Sequence, residues 1–577
     1  MTDHSYGSTE IQWGSDVVVD FLCSAGIRHV AVNPGATLRG LHDSMLRVDS
    51  PELITALHEE IAVGIAHGYA KAARRPMAVL LHDMVGLQHA TMAIFNAWAD
   101  NIPMLLLGGS GPRDTFKRRP WIDWVHSGVP QAAMIRDIVK WDTEPASLEA
   151  LGPALRRAWR MALTAPPGPV YVSVDVLLQE ERLGAETPEI LVPSMPPPLI
   201  APREAVSEIA DLLLGSERPV LMVDRPSPGT LAPLVDLADR TAAAVIDLFA
   251  RCSFPTNHWA DQSEERESTL GEADFVLLIE PRDPAHALGK TDEASRLTDL
   301  VVSPGIPMVA VGLSEIQHTG LIERGADVPG LRHVLSDPAG FLNLLVEEVS
   351  RRHTPDRKDR VEELRARHNR RRSNAQRKAA AQAKATPISA AHLATELWKV
   401  IRPHPWQLAN GKLAGWPRRI WDFEHEDEYL GRSGGEGLGY GLPASVGAAL
   451  ASQGTDRLVV DIQADGDLLY TPSALWTAAH HSIPLLVITH NNRRYGRDEI
   501  HQRTVARTRS RPVPPYMEGI HLDDPPVDFA QLARSFGVEG IGPVEDPEKL
   551  GGFLTHAVDM VLNEQRPVLV DVVSSSE

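Results

Sequence analysis

Short apolar runs, rich in leucine and β-branched residues, alternate with longer stretches of helical periodicity along this 577-residue chain. Glycine- or proline-containing turns separate the two kinds of stretch, and the alternation repeats in three successive segments. Strands that alternate with helices pair as parallel sheets, because each helix carries the chain back to the same edge of the sheet. The sequence therefore predicts an α/β protein of three doubly wound parallel-sheet domains.

The domain boundaries are predicted where this alternation pauses, at a proline-rich stretch over 192–199 and a charged stretch over 351–384. We expect an N-terminal domain at 1–185, a central domain at 200–352, a charged linker at 353–386 and a C-terminal domain at 387–577. Basic residues in the linker are interleaved with acids and lack aromatic neighbours. The stretch is therefore interpreted as a solvated helical linker, with a nucleic-acid surface as the less favoured alternative.

The pattern also places individual elements. Strands are expected at 28–33, 52–57, 76–81, 103–108 and 169–175, at 219–223, 243–247, 274–279 and 307–312, and at 406–409, 457–462, 484–490 and 567–573. The clearest helices are expected at 59–73, 86–100 and 389–400.

Charge and composition exclude several classes of partner. The 57 Lys and Arg residues against 76 Asp and Glu give a formal charge of −19, which repels phosphate backbones and anionic lipid. No apolar run approaches the ~20 residues of a membrane span. Cys23 and Cys252 alone cannot form a disulfide framework, and residues 1–7 lack the features of a signal peptide. We expect a cytoplasmic protein with no nucleic-acid and no membrane partner.

Two polar loops in the third segment follow consecutive predicted strands. Asp465 and Asn492 lie 27 positions apart, separated by one strand–turn–helix–strand unit. If the two strands are adjacent, the side-chain oxygens face the same point and suit Mg²⁺ or Ca²⁺. Gly466 lets the backbone approach a ligand closely, and the following helix offers N–H groups to an anion. Taken alone, either loop could equally be a plain turn.

This pair of loops resembles the motif of the thiamin diphosphate (ThDP) enzymes, usually Gly-Asp-Gly with Asn-Asn one strand later. The chain is thereby similar to the 2-oxoacid decarboxylase and acetolactate synthase superfamily. The resemblance implies that Asp465, Asn492 and the main-chain carbonyl of Arg494 hold Mg²⁺. Two positions depart from the motif: Ala464 replaces the first glycine, and Asp467 places a carboxylate near the diphosphate.

The first segment carries a second part of the family pattern. Glu59 stands nine residues before Gly68, in a strand-to-helix stretch. By the resemblance, the Glu59 carboxyl hydrogen-bonds N1′ of the ThDP aminopyrimidine and stabilises the imino tautomer that acts as internal base.

Residues 81–98 are similar to benzoylformate decarboxylases. The resemblance makes His82 a proton shuttle facing the substrate and places His89, two helical turns further on, near the same site. An ordinary strand-end histidine is the alternative for His82. Ala36 stands where those decarboxylases have a serine that helps hold the substrate carboxylate, so an aromatic 2-oxoacid is not implied.

Four more residues carry family roles by resemblance. Leu438 would wedge under the bent cofactor, and the carbonyl of Glu436 would accept from the 4′-amino group. Lys412, after a predicted strand end, could meet the diphosphate, with a surface lysine as the alternative. Asp498, six residues beyond Asn492, could protonate an intermediate, with an exposed helix-start acid as the alternative.

The resemblance implies a ThDP- and Mg²⁺-dependent enzyme that decarboxylates a 2-oxoacid and releases or ligates the aldehyde unit. An acetolactate synthase-like carboligase, a 2-hydroxyacyl thioester lyase and a non-catalytic ThDP-binding scaffold are the alternatives. A homodimer or homotetramer is implied, with the Glu59 face of one subunit completing the metal site of another. The central segment has Glu280-Pro-Arg where flavin-binding relatives have Gly-x-Arg, so no FAD is expected.

Overall fold

The computed structural model describes residues 11–184, 191–225, 227–317, 320–322 and 327–575. The signal-peptide expectation for residues 1–7 and the predicted domain limits at 1, 185 and 577 lie outside the described residues. The other domain limits remain predictions. Along the described chain, no helix combines the length and the apolar character needed to cross a bilayer.

The first segment forms a six-stranded parallel sheet in the order β2-β1-β3-β4-β6-β5. Its strands are β1 (His29–Val32), β2 (Glu52–Thr55), β3 (Ala78–His82), β4 (Met104–Ser110), β5 (Trp141–Thr143) and β6 (Pro169–Asp175). Its helices are α1 (Gly14–Ser24), α2 (Arg39–Met45), α3 (Glu59–Ala73), α4 (Asp83–Ala99), α5 (Ile122–His126), α6 (Leu148–Leu163) and α7 (Val176–Glu180).

The second segment forms a five-stranded parallel sheet in the order β13-β12-β9-β7-β8, with a short antiparallel β10-β11 pair beside it. The strands are β7 (Pro219–Val223), β8 (Ala244–Asp247), β9 (Phe275–Ile279), β10 (Gly289–Thr291), β11 (Thr298–Leu300), β12 (Met308–Gly312) and β13 (Leu331–Leu335). The helices are α8 (Arg203–Gly215), α9 (Leu231–Thr241), α10 (Arg266–Gly271), α11 (Pro284–Leu288) and α12 (Pro338–Ser350).

The third segment forms a five-stranded parallel sheet in the order β14-β15-β16-β18-β17. The strands are β14 (Trp406–Asn410), β15 (Leu458–Ala464), β16 (Leu486–Asn491), β17 (Glu539–Val544) and β18 (Val568–Val573). After the linker helix α13 (Lys358–Ala381), the helices are α14 (Ala390–Ile401), α15 (Trp416–Ile420), α16 (Gly441–Ser452), α17 (Asp465–Leu468), α18 (Ala474–His480), α19 (Gly496–Thr508), α20 (Phe529–Ser535) and α21 (Leu550–Glu564).

The predicted doubly wound parallel architecture is therefore confirmed, and each predicted strand is present to within a few residues. Five strands were missed, namely β5, β10, β11, β13 and β17; β10 and β11 form the short antiparallel pair, and the other three lie at the edges of the parallel sheets. An edge strand needs no continuous apolar run, because one side of it is not covered by a neighbouring strand. β13 is correspondingly mostly exposed, and β17 contains glycine and proline.

The linker helix α13 differs from the solvated helix expected from its charge. Leu364 and Ala375 are buried, and Arg371 and Arg372 reach the neighbouring segments. The Arg371 guanidinium pairs with Asp261 at 2.8 Å, and Arg372 pairs with Asp422 at 2.6 Å. Some of the interleaved charged residues therefore form ion pairs that hold α13 against both neighbouring segments, and the helix is not only a solvated linker.

Helices α3 and α16 cross in very close contact, which fixes the first segment against the third. A Cβ built on Gly68 would lie 1.8 Å from the carbonyl oxygen of Ala444, and one on Gly447 would lie 1.9 Å from that of Ile65. Only glycine allows backbones to approach this closely. The crossing brings the start of α3 near the loop that leads into α16.

Candidate active site

The two polar loops of the third segment lie side by side. β15 and β16 are neighbouring parallel strands, with Ala464 paired with His490, so the loops after them open at the same sheet edge. Asp465 Oδ2 accepts the backbone N–H of Arg493 at 2.6 Å, which brings the Asp465 carboxylate next to Asn492. The sequence expectation of adjacent strands is confirmed, and the two side chains are brought together.

The donor set at this edge fits a divalent cation. Asp465 is buried, and burial raises the pKa of its carboxyl to about 6. Within the described ranges, no lysine, arginine or histidine forms an ion pair with Asp465. Those ranges also contain no group of three or more His, Cys, Asp and Glu side chains that could hold a metal, so a cation here would need amide and carbonyl ligands as well. A buried carboxylate without a cationic partner is costly, so an ion held also by amide and carbonyl oxygens of Asn492 and Arg494 would compensate it.

Tyr495 contacts the loop of Gly466 and directly precedes α19, which carries Asp498. A Cβ on Gly466 would be 2.5 Å from Tyr495 Cε1, so the tyrosine ring packs directly on residues 464–468, the predicted metal loop. Asp498 is exposed in the first turn of α19, immediately beyond Tyr495. The start of α19 is therefore held against the Asp465 loop, with Asp498 at its solvent side.

Asp467 does not point freely into a phosphate site. Its Oδ1 accepts the N–H of Gly439 at 2.6 Å, and its Oδ2 accepts the side-chain amide of Gln463 at 2.6 Å. Burial and the proximity of Asp467 raise the pKa of Glu60, at the start of α3, to about 7. The carboxylate that departs from the family motif is thus used to tie the loop before α16 to the metal loop.

A cavity of about 250 Å³ opens beside these loops. Four predicted residues line it, namely Lys412, Glu436, Leu438 and Asp467, together with Asn410, Gly411, Leu413, Ala414, Arg432, Ser433, Gly437, Tyr440, Ile462, Ala464 and His490. Glu436 has a left-handed backbone with φ of 52° and pairs with Arg432 at 2.7 Å. Lys412 and Arg432 on its wall can bind an anionic group such as a diphosphate, while the carboxylates of Glu436 and Asp467 line the same cavity.

Asn96 of α4 holds the loop that forms one wall of this cavity. Its side-chain carbonyl accepts the N–H of Gly437 at 3.1 Å, and its amide donates to the Gly437 carbonyl at 3.2 Å. Asn96 is buried, so this two-way bond fixes the backbone next to Leu438.

The predicted residues of the first segment form a second cluster. Glu59 is buried at the start of α3, and a Cβ on Gly86 would be 3.0 Å from its Oε1. His82 Nδ1 lies 2.9 Å from Thr37 Oγ1 and accepts the Thr37 N–H at 3.4 Å. Because a backbone N–H can only donate, the proton of neutral His82 is on Nε2. Burial and the nearby His126, whose ring centroid is 6.0 Å away, lower the pKa of His82.

His89 is set apart from His82. It is exposed on α4, and its ring packs edge-on against that of His58 with centroids 4.7 Å apart. In the part of the chain that the structure describes, no hydrogen bond, ion pair or ring contact joins Glu59, His82 or His89 to Asp465 or Asn492. Within the single chain, the predicted residues of the first and third segments therefore form two half-sites that make no direct contact with each other.

Two family models match the segments that carry these half-sites. Residues 12–134 match the thiamine pyrophosphate enzyme N-terminal TPP binding domain, and residues 409–572 match the C-terminal TPP binding domain. The chain belongs to the thiamine pyrophosphate (ThDP) enzymes.

Relatives of this ThDP enzyme include a decarboxylase and an acetolactate synthase, the two groups that the sequence resembles. Benzoylformate decarboxylase of Pseudomonas aeruginosa is 29% identical over 563 residues, covering 95% of this chain and 96% of the relative. Acetolactate synthase isozyme 3 large subunit of Escherichia coli is 24% identical, covering 98% and 95%. The crystal structure of benzoylformate decarboxylase from Polynucleobacter necessarius shares the fold, with a TM-score of 0.77 at 20% identity over 98% of this chain and 99% of that one.

Several residues of the ThDP enzyme's cavity were not singled out by the sequence. Arg432 stands just before the glycine-rich turn at residues 433–439, and His490 is the penultimate residue of β16, beside Asn491. A polar side chain at the carboxyl end of a buried strand is a usable signal, because the end of a parallel strand faces the ligand crevice. Burial lowers the pKa of His490 to about 4, so its imidazole is neutral near pH 7.

Proposed function

We propose that this enzyme binds ThDP with Mg²⁺ and decarboxylates a small 2-oxoacid without oxidation, releasing or ligating the resulting aldehyde unit. The observation that carries the proposal is the Asp465–Arg493 bond of 2.6 Å. It supports the proposal because it holds the Asp465 loop to the turn that carries Asn492, beside a cavity lined by Lys412, Leu438 and Ala464.

Bound ThDP supplies a nucleophilic carbon and an electron sink for C–C cleavage. The residues of the chain would bind and orient it. Asp465, Asn492 and the carbonyl of Arg494 would hold Mg²⁺ at the diphosphate. Leu438 would lie under the bent cofactor, and the Glu436 carbonyl would accept from its 4′-amino group.

Proton transfers would fall to the half-site of the first segment. The Glu59 carboxyl would hold a proton at N1′ of the aminopyrimidine, and Gly86 leaves room beside that carboxyl. His82 would present its Nε2–H to the substrate, since Thr37 occupies its Nδ1. Asp498 would deliver a proton from the start of α19, and His89 would lie at the rim.

The resemblance to the family supports a homodimer or homotetramer, and the lack of a direct contact between the two half-sites within one chain is compatible with it. In such an assembly, Glu59 of one subunit would meet the Asp465 loop of a second copy, so that a monomer would bind cofactor poorly and turn over little. The cytoplasm as compartment and the absence of FAD remain predictions.

A carboligase is the second candidate, because the chain covers 95% of an acetolactate synthase large subunit at 24% identity. The two candidates share the cofactor and the cleavage step. They differ in whether the two-carbon or larger unit leaves as an aldehyde or attacks a second carbonyl.

The test is calorimetric binding of ThDP with and without Mg²⁺, followed by a panel of 2-oxoacids assayed for CO₂, free aldehyde and acyloin. Mg²⁺-dependent binding with CO₂ and aldehyde is the expected result. CO₂ with acyloin but no aldehyde would favour the carboligase, and no affinity for ThDP would contradict the proposal.

A further inference from the structure

His490 is the penultimate residue of β16, next to the predicted metal loop, and forms part of the wall of the 250 Å³ cavity. One of its two ring nitrogens already has a hydrogen-bond partner. Nδ1 lies 2.6 Å from the hydroxyl of Ser574, which follows β18. Ser574 is itself fixed, because its N–H donates to the Asn491 carbonyl at 2.9 Å.

The other side of the ring is open. Within residues 327–575, which the structure describes without a gap, Nε2 of His490 makes no hydrogen bond, and it is not sealed from solvent. When the Ser574 hydroxyl donates to Nδ1, the neutral imidazole carries its proton on Nε2. That proton is then offered to whatever fills the cavity.

The polar contacts around the cavity indicate which of its donors are available to an anion. The carboxylate of Asp467 is occupied by Gly439 and Gln463, and Glu436 is paired with Arg432. Lys412 forms no ion pair with any described residue and stands on the same wall. Lys412 Nζ and His490 Nε2 are therefore two donors of the lining that have no acceptor among the described residues.

We propose that the Nε2–H of His490 donates a hydrogen bond to the diphosphate of bound ThDP, with Ser574 holding the ring in the tautomer that can donate. This assignment rests on the proposed function. A structural alternative gives His490 only the task of joining the ends of β16 and β18 through Ser574.

Three substitutions at one position separate the two roles. His490→Gln keeps an amide donor near the place of Nε2, whereas His490→Asn keeps one only near Nδ1. His490→Met fills a similar volume with no donor. Calorimetry with ThDP and saturating Mg²⁺ gives the dissociation constant of each, thermal unfolding checks that each is folded, and His556→Met on the exposed face of α21 is the control.

A hydrogen bond to a charged phosphate predicts that the Met and Asn variants bind ThDP about tenfold to a hundredfold more weakly. The Gln variant and the control should remain within about threefold of the wild type, well inside the effect of one such bond. Equal affinity in all variants, or equal loss in Gln, Asn and Met, would overturn the assignment. Failure of the wild-type protein to bind ThDP would instead contradict the proposed function.

Discussion

The Asp465 carboxylate reaches across the β15–β16 pair to the backbone N–H of Arg493, with Oδ2 and N 2.6 Å apart. Arg493 has a left-handed backbone with φ of 58°, a conformation that costs about 1–2 kcal/mol for a residue other than glycine. The bond from Asp465 helps to offset this cost. It also fixes the turn that carries Asn492 and Arg494, the two other proposed metal ligands.

Replacing Asp465 by asparagine keeps the shape of the side chain and an acceptor for the Arg493 N–H. It removes the charge that would bind Mg²⁺. We expect a folded protein whose affinity for ThDP in the presence of Mg²⁺ falls at least about tenfold, as measured by calorimetry. Asp559→Asn, on the exposed face of α21, is the matched control. An unchanged affinity in Asp465→Asn would remove Asp465 from the metal site.

Glu59→Gln should leave ThDP binding intact and lower turnover about 10²- to 10⁴-fold, because the amide cannot hold or release the proton at N1′. Steady-state rates with the best 2-oxoacid of the panel measure the effect. Glu60→Gln changes the neighbouring acid, which faces Gly439 and Asp467 rather than Gly86, and should retain most of the turnover. Similar losses in both variants would assign the effect to the helix start as a whole.

Sequence reasoning predicted the buried parts of this molecule better than its edges. Central strands such as β6 and β7 are fully buried, mostly apolar runs, and they were placed at their observed bounds, residues 169–175 and 219–223. The edge strands β5, β13 and β17 carry no such run. The hydrogen-bond partners of side chains were harder still to predict, because the hydrogen bonds of Asp467 with Gly439 and Gln463 join residues up to 28 positions apart.

The candidate site was likewise predictable only in part. Spacing alone indicated that Asp465 and Asn492 would meet, since parallel strands end at one sheet edge. It could not indicate that the Glu59 cluster makes no direct contact with them in one chain. Nor could it find His490, whose importance comes from the Ser574 hydroxyl contributed by the end of β18.

Gly466→Ala tests how tightly the metal loop is packed. The new Cβ would lie 2.5 Å from Tyr495 Cε1, so the ring or the loop must move. We expect unfolding in denaturant to show a loss of about 1–3 kcal/mol. In a Tyr495→Ala background the same substitution should cost much less. Gly215→Ala, where a Cβ meets no atom within 4 Å, should be nearly neutral, and an equal loss there would point to backbone effects instead.

His481 makes the contact between the first and third segments sensitive to acid. Its Nε2 accepts the Thr55 N–H at 2.9 Å, which requires an unprotonated nitrogen, and burial together with nearby His480 lowers its pKa to about 4. The ordinary value is about 6.5, so the unfolded chain takes up a proton first. The stability that this contact contributes is therefore complete above about pH 6.5 and is lost as the pH falls toward 4.

His481→Gln keeps an acceptor near the place of Nε2 but does not titrate. Its free energy of unfolding should fall less steeply than that of the wild type between about pH 6.5 and 4, while the two proteins differ little at pH 8. His556→Gln, which alters an exposed histidine on α21, should follow the wild-type profile. If all three profiles are parallel, the Thr55–His481 bond does not contribute to the acid sensitivity, and other buried groups of the interface must account for it.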